Sequence, residues 1–350
     1  MILVAGAGAI GASVAYHLAV LGAVDVVLCD RGEVAGGSTA RAMGGVRQQF
    51  STAAEVRLAR DSIAFFEQLG PPFFEQVGYL FVATSEEGVG VLEERTRVQV
   101  ELGVPVERVD PSFVPGLAVD DVLGAVFCAE DGVADPAAVT QELVRRAAER
   151  GVEVREHTDA LTLLEEANTV VIACGPWSAT LAEELGVRLP VRPLCRQLLA
   201  TTPLPGLPDR LPMTVELETG FHFRRRGDRL VLAMSDATPR WSDETTVDES
   251  VFDDRVARLA RRFPPAAGAT IGEAWAGLYD MTPDAHPILG RVAEGVYAAC
   301  GFSGHGFMQS PAAGLAVARE IVDGAEAADL APFRLDRFGG ELEVPETVVL

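Results

Sequence analysis

The chain has 350 residues, 51 of them acidic and 29 basic, for a formal net charge of -22. Every basic residue is arginine, and the absence of lysine excludes a Schiff base to pyridoxal phosphate, a P-loop lysine and a lysine general base. The acidic balance argues against nucleic-acid binding, where phosphate contacts supply most of the affinity, and the length suits two packed domains.

Ile2-Leu3-Val4-Ala5 reads as a buried strand running into Gly6-Ala7-Gly8-Ala9-Ile10-Gly11, and Ala12 to Leu21 is compatible with a helix. A second apolar run, Val26 to Cys29, closes on Asp30. Strand, G-x-G-x-x-G, helix and an acid about 20 residues on make the dinucleotide-binding fingerprint in its full context. Gly6 allows the tight turn, Gly8 lets backbone approach a pyrophosphate, and Gly11 lets the helix pack on the strand, whose partner helix N-terminus holds the diphosphate. Asp30 would accept the ribose hydroxyls.

A glycine-rich loop follows from Gly36 to Gly45, then a helix from Thr52 to Leu69 stopped by Gly70-Pro71-Pro72. Gly78 to Thr84 reads as a strand, Glu86 to Leu102 as a charged helix, and the turn-rich stretch to Pro115 as part of an inserted second domain. Leu123 to Phe127 is a strand, Asp135-Pro136 caps and starts a helix to Arg150, and Gly151 ends it. Val152 to Val154 and Thr169 to Ala173 are parallel-type strands, the latter leading through Cys174-Gly175-Pro176-Trp177-Ser178 into a helix beside the expected ligand. From Val191 to Ala276 the pattern turns to β, with one helix from Asp253 to Phe263, as in the antiparallel sheet of a substrate domain. The chain returns through Gly295 to Gly301 and a helix starting near Ser310 or Pro311, and Glu341 to Leu350 reads as an acidic, extended tail.

Five scattered cysteines in mostly apolar runs read as buried, reduced thiols, and without C-x-x-C or paired histidine spacing no metal site is expected. The chain opens directly in a strand and has no apolar run of the ~18 residues a spanning helix needs, so no membrane span and a cytoplasmic location are expected. His17 and His157 read as surface residues.

Three blocks carry a family likeness: Gly6 to Asp30; Gly37-Ser38-Thr39-Ala40-Arg41 with Gly44-Gly45-Val46-Arg47-Gln48-Gln49-Phe50; and Trp275 to Asp284 with Gly301-Phe302-Ser303-Gly304-His305-Gly306-Phe307-Met308. Together they resemble the FAD-dependent D-amino-acid oxidase superfamily, and within it the branch of the sarcosine oxidase β-subunit and the dye-linked L-proline dehydrogenase β-subunit. The resemblance implies an α/β fold: a discontinuous Rossmann-type FAD-binding domain (1–78, 124–192 and 276–338) with an inserted antiparallel-sheet α+β substrate domain (79–123 and 193–275) and an acidic tail at 339–350. It implies oxidation of an amino-acid or amine C–N bond, with hydride passing to flavin N5.

FAD is then expected to lie against Gly6, Gly8, Ala9, Ile10, Gly11, Asp30, Arg31, Ser38, Thr39, Gly44, Gly45, Gly175, Trp177 and Gly301, and against Gly304, His305, Gly306, Phe307 and Met308. The glycine turn feeding a helix N-terminus can stabilise negative charge on a reduced flavin. Arg47 matches the family's carboxylate-binding arginine, for which a guanidinium fork is suited, against the plainer reading of a surface arginine. His222 shares a strand face with Arg224, and pocket and packed positions are both open to it. Tyr279 matches a pocket tyrosine, with a core tyrosine as the alternative. His305 and Met308 complete the expected catalytic set.

Gly277 stands where monomeric sarcosine oxidases carry a flavin-linking cysteine, so non-covalent FAD is expected. Met308 stands where they carry lysine, and without lysine fast use of oxygen is not expected. The resemblance implies a small secondary, N-methyl or D-amino acid or amine as substrate; the electron acceptor, a dye or quinone or oxygen, stays open, as does a homo-oligomer or heteromeric complex. The rival readings are a non-catalytic FAD-binding subunit and an NAD-dependent dehydrogenase.

Overall fold

In a computed structural model the described residues are 1–340 and 345–350. Ile2–Ala5 lies inside a six-stranded sheet, in the order Ile288–Ala293, Val296–Cys300, Thr169–Ile172, Ile2–Ala5, Val26–Cys29, Glu153–Arg155. All neighbours are parallel except the hairpin formed by the first two. A central parallel strand is covered on both faces, which is why its residues are apolar without alternation. Val4 enters one core with Val14, Leu143 and Val317, while Leu3 and Ala5 enter another with Leu163, Ile172 and Leu181. The first core lies under the helices Ala9–Val20, Pro136–Ala148 and Gly306–Asp323, the second under Ala160–Glu166 and Ser178–Glu184. As expected, Asp135 caps the helix that Pro136 starts, accepting the amides of Ala137 and Ala138 at 3.0 Å.

The second sheet has eight strands: Ile271–Met281, Arg192–Thr201, Arg229–Ala233, His222–Arg226, Met213–Glu216, Tyr79–Ala83, Gly124–Cys128 and Val106–Arg108. It is antiparallel in every pairing but that of Met213–Glu216 with Tyr79–Ala83, which is parallel. Two expected domain boundaries fall inside it. Ile271–Met281 pairs along its length with Arg192–Thr201, so a cut at 276 would sever one continuous ladder, and Gly124–Cys128 pairs with Tyr79–Ala83 rather than with the parallel sheet.

Two further expectations are corrected. The last long helix begins at Gly306, with Pro311 inside it. A proline there leaves the Phe307 carbonyl without its helical N–H, and the Ser310 hydroxyl takes that place by donating to Phe307 O at 2.9 Å. His17 is buried, its Nδ1 2.8 Å from the Ser13 carbonyl, because the helix Ala9–Val20 is covered by two others. The expected acidic, extended tail, whose residues 341–344 lie outside the described residues, is partly packed at 345–350, where Glu346 and Val348 are buried. The Glu346 carboxylate accepts the amides of Ser51 and Thr52 and the Ser51 hydroxyl (2.8–3.3 Å), placing a negative charge at the start of the helix Ala53–Leu69, and Val348 is buried in the second domain's core. Among the described residues no helix is long and apolar enough to cross a membrane.

Candidate active site

The carboxyl ends of the parallel strands open into a cavity of about 810 Å³ that runs on to the face of the second sheet. Gly6 adopts φ +103°, and a Cβ on Gly11 would lie 1.8 Å from the Gly6 carbonyl, so the turn and the start of the helix tolerate no side chain there. The helix Ala9–Val20 has Gly8 as its N-cap, no side-chain cap and no acid in its first turn, leaving the positive end of its dipole to face the cavity. Thr39 Oγ1 accepts the Ala9 amide at 3.0 Å. Asp30 accepts the amides of Ala7 (2.7 Å) and Gly32 (2.8 Å), one on each oxygen, and keeps a further lone pair on each. Its carboxylate therefore shapes the glycine turn as well as lining the cavity.

Of the expected cofactor residues, Gly6, Gly8, Ala9, Ile10, Asp30, Arg31, Ser38, Thr39, Gly44, Gly45, Gly175 and Trp177 line this cavity, as do residues 304–308. Two do not. Gly11 is spent on helix–strand packing, and Gly301, at φ +77°, lies behind the wall, where its amide donates to Asp280 Oδ2 at 2.7 Å. Ser38 donates its hydroxyl to the Leu278 carbonyl at 2.8 Å, and Arg31 is an exposed partner of Asp159 at the rim. His157 is exposed, at the cavity mouth, as expected of a surface residue.

At the other end the glycine turn meets the second sheet. Gly304 has φ +99°, and a Cβ on it would lie 2.2 Å from the Tyr279 ring, so ring and turn touch directly. Helix Gly306–Asp323 likewise starts here without a side-chain cap or an acid in its first turn. Arg47 is buried, not on the surface. Its guanidinium donates to the Gln49 carbonyl and, at 2.7 Å, to the Val348 carbonyl, stacks 3.9 Å over the Phe50 ring, and keeps Nε without a partner among the described residues. Tyr279 donates its hydroxyl to the Leu350 carbonyl at 2.7 Å. Burial raises its pKa, against the opposing pull of Arg196 and Arg47. His222, brought to the wall by the strand His222–Arg226, is buried, and desolvation lowers its pKa to about 4. Burial likewise lowers that of His305, whose Nε2 has no partner among the described residues. Met308 lines the cavity beside them.

Sequence reasoning missed several residues here. Arg196 lines the cavity from the strand Arg192–Thr201, and its Nε and Nη1 are buried without a partner among the described residues. Its signal was available: it is the one charge in the run Leu194-Cys195-Arg196-Gln197-Leu198-Leu199-Ala200. Glu55, completely buried, takes the Gln309 amide on one oxygen and His286 Nδ1 at 2.7 Å on the other. It sits in a stripe with Leu58, Ser62 and Phe66, where an acid at a core-facing helical position is the cue. Asp280 also lines the cavity, its pKa pushed up to about 6 by burial.

These features fit FAD. Two helix N-termini with no acid in the first turn suit a diphosphate and an electron-rich ring edge, and two cradles admit no Cβ. The sequence profile described as "DAO: FAD dependent oxidoreductase" matches residues 1–320. The chain belongs to this FAD-dependent oxidoreductase family. FAD-dependent oxidoreductase domain-containing protein 1 of Bos taurus is 31% identical over 413 residues, covering 96% of this chain and 84% of the relative. Glycine oxidase of Geobacillus kaustophilus is 28% identical, covering 98% of each chain. The crystal structure of L-proline dehydrogenase from P. horikoshii superposes with a TM-score of 0.89 at 26% identity, over 98% of each chain. This DAO-family enzyme therefore uses FAD, which sets the NAD-dependent reading aside.

Proposed function

We propose that this DAO-family enzyme oxidises the C–N bond of a small secondary, N-methyl or D-amino acid to an imine, holding FAD without a covalent bond. FAD, when bound, takes the hydride equivalent from the substrate carbon. The observation that carries the reading is the polarity of the cavity beyond the glycine turn. Arg47 Nε and Arg196 Nε and Nη1 are buried N–H donors without an acceptor among the described residues, a costly arrangement unless a ligand supplies an anion. A carboxylate supplies it. His222 and His305, both neutral through burial, stand in the same cavity to receive an amine. The names of the glycine and proline enzymes among its relatives support an amino-acid substrate.

Non-covalent binding is supported by Gly277, which offers no thiol and whose Cβ position is filled by the Arg41 side chain at 3.0 Å. The cavity's own thiols are poor nucleophiles, since burial pushes Cys29 up to about 11 and Cys174 up to about 12. The test is to purify the yellow protein, precipitate it with acid and screen amino acids with a dye or oxygen as acceptor. All flavin should appear in the supernatant, and a secondary or D-amino acid should reduce the dye faster than the same amine lacking a carboxylate. Flavin in the pellet refutes the non-covalent reading; a preference for the amine without a carboxylate refutes the substrate class.

A further inference from the structure

The hydrogen bonds around His305 fix which of its nitrogens bears the proton. A carboxylate only accepts, so the Gln309 amide that meets Glu55 presents its N–H group to it. The Gln309 oxygen is thereby left facing His305 Nδ1, at 3.1 Å. An amide oxygen also only accepts, so Nδ1 carries the hydrogen. A neutral imidazole has one N–H, and Nε2 is bare. This Nε2 is the buried atom without a partner, on a ring that lines the cavity and is itself about 2% exposed. Glu55 cannot turn away from Gln309 without also releasing His286, which it holds at 2.7 Å through its other oxygen. His222 is pinned by the same logic: its Nδ1 lies 2.8 Å from the Gly220 carbonyl, which can only accept, so the Nε2 of this second cavity histidine is bare too.

We infer that Glu55 and Gln309 are positioning residues that lock His305 in its Nδ1–H tautomer, and that His305 and His222 together accept the N–H groups of the substrate amine through Nε2. The second clause rests on the amine-oxidising function proposed above; the first does not. The cavity is then sorted by polarity. Arginine donors draw the carboxylate, two lone pairs draw the nitrogen, and a lone pair repels a carboxylate that enters the wrong way round. The two acceptors match the two N–H groups of a neutral primary amine and offer either lone pair to the single N–H of a neutral secondary amine, the forms whose nitrogen lone pair drives hydride loss.

The chain has five histidines, so selective ¹⁵N-histidine labelling of the flavin-loaded protein resolves each ring by its two-bond couplings. His305 and His222 should both show a protonated Nδ1 and an unprotonated Nε2. Glu55→Gln gives Gln309 a donor to face, letting its amide turn, and should move the His305 proton to Nε2 while His222 stays unchanged. In that variant KM for the best amino acid of the screen should rise about tenfold, the loss of one hydrogen bond, with flavin content unchanged. Gln309→Leu, which cannot turn, provides the second measurement should Glu55→Gln fold poorly, and should leave His305 with mixed tautomers. A proton on Nε2 of His305 in the wild-type protein overturns the lock, whatever the enzyme oxidises. For the acceptor role, N-methylglycine or L-proline added to the reduced, anaerobic protein should shift both Nε2 resonances, and methoxyacetate, its N–H replaced by oxygen, should not. Equal shifts from both ligand types, or none from any amine, overturn the acceptor role and leave the tautomer result standing on the couplings.

Discussion

Replacing Arg196 with methionine should make the ligand-free protein more stable and worse at its task. Methionine keeps the volume and removes a guanidinium whose Nε and Nη1 are buried without acceptors. An unsatisfied buried donor costs about 1–3 kcal/mol. Against this, the guanidinium lies 5.8 Å from the Tyr279 ring centroid, a contact worth about 0.5–1 kcal/mol. With two such donors against one ring contact, the balance is a gain of at least about 1 kcal/mol in unfolding free energy without ligand. With ligand the sign reverses: a charge-assisted bond to a carboxylate, about 1.5–3 kcal/mol, is lost, weakening binding roughly 10- to 150-fold. Urea unfolding of the flavin-loaded protein gives the first quantity, and titration of a carboxylate inhibitor followed in the flavin visible spectrum gives the second. A variant that is less stable and binds carboxylates as tightly as the wild type would refute the assignment of those orphaned donors to a ligand.

Burial lowers the His17 pKa from 6.5 to about 4, so its neutral form stabilises the fold fully above pH 6.5, and that contribution is lost as pH falls towards 4. His17→Leu should shrink the fall in unfolding free energy between pH 7 and pH 4 by about 3 kcal/mol, and parallel pH profiles for the two proteins would contradict this. Ser310→Ala should cost about 1–3 kcal/mol by stranding the Phe307 carbonyl, and adding Pro311→Ala should recover most of it by restoring the helical N–H. A double variant no more stable in urea than Ser310→Ala would show that the hydroxyl does not substitute for the missing amide.

What could be read in advance was local along the chain. The strand Ile2–Ala5, its glycine turn and Asp30 lie within 30 residues, and each constrains the next through backbone geometry alone. The glycine turn at 301–306 was legible for the same reason, yet the start of its helix was not, because Ser310 repairs the proline's missing donor in a way that helix-breaking rules do not anticipate. Arg196 and Glu55 escaped because their meaning lies in partners far off in sequence or, for Arg196, in the want of any. The pairings of Gly124–Cys128 and Ile271–Met281 were not legible, since a strand's own residues do not say which sheet it joins.

Tyr279 has a single phenolic proton and gives it to the carbonyl of Leu350, in the segment that Glu346 pins to the start of the helix Ala53–Leu69. A substrate that takes that proton does so by exchange with the protein's own backbone, one acceptor leaving as another arrives. The bond then adds little net affinity, and its worth lies in the comparison between guests. A ligand whose acceptor is better placed for that proton than Leu350 O wins the exchange, and one that is not gains nothing from Tyr279. The segment at 345–350 thus acts as an internal competitor that sets a threshold for entry.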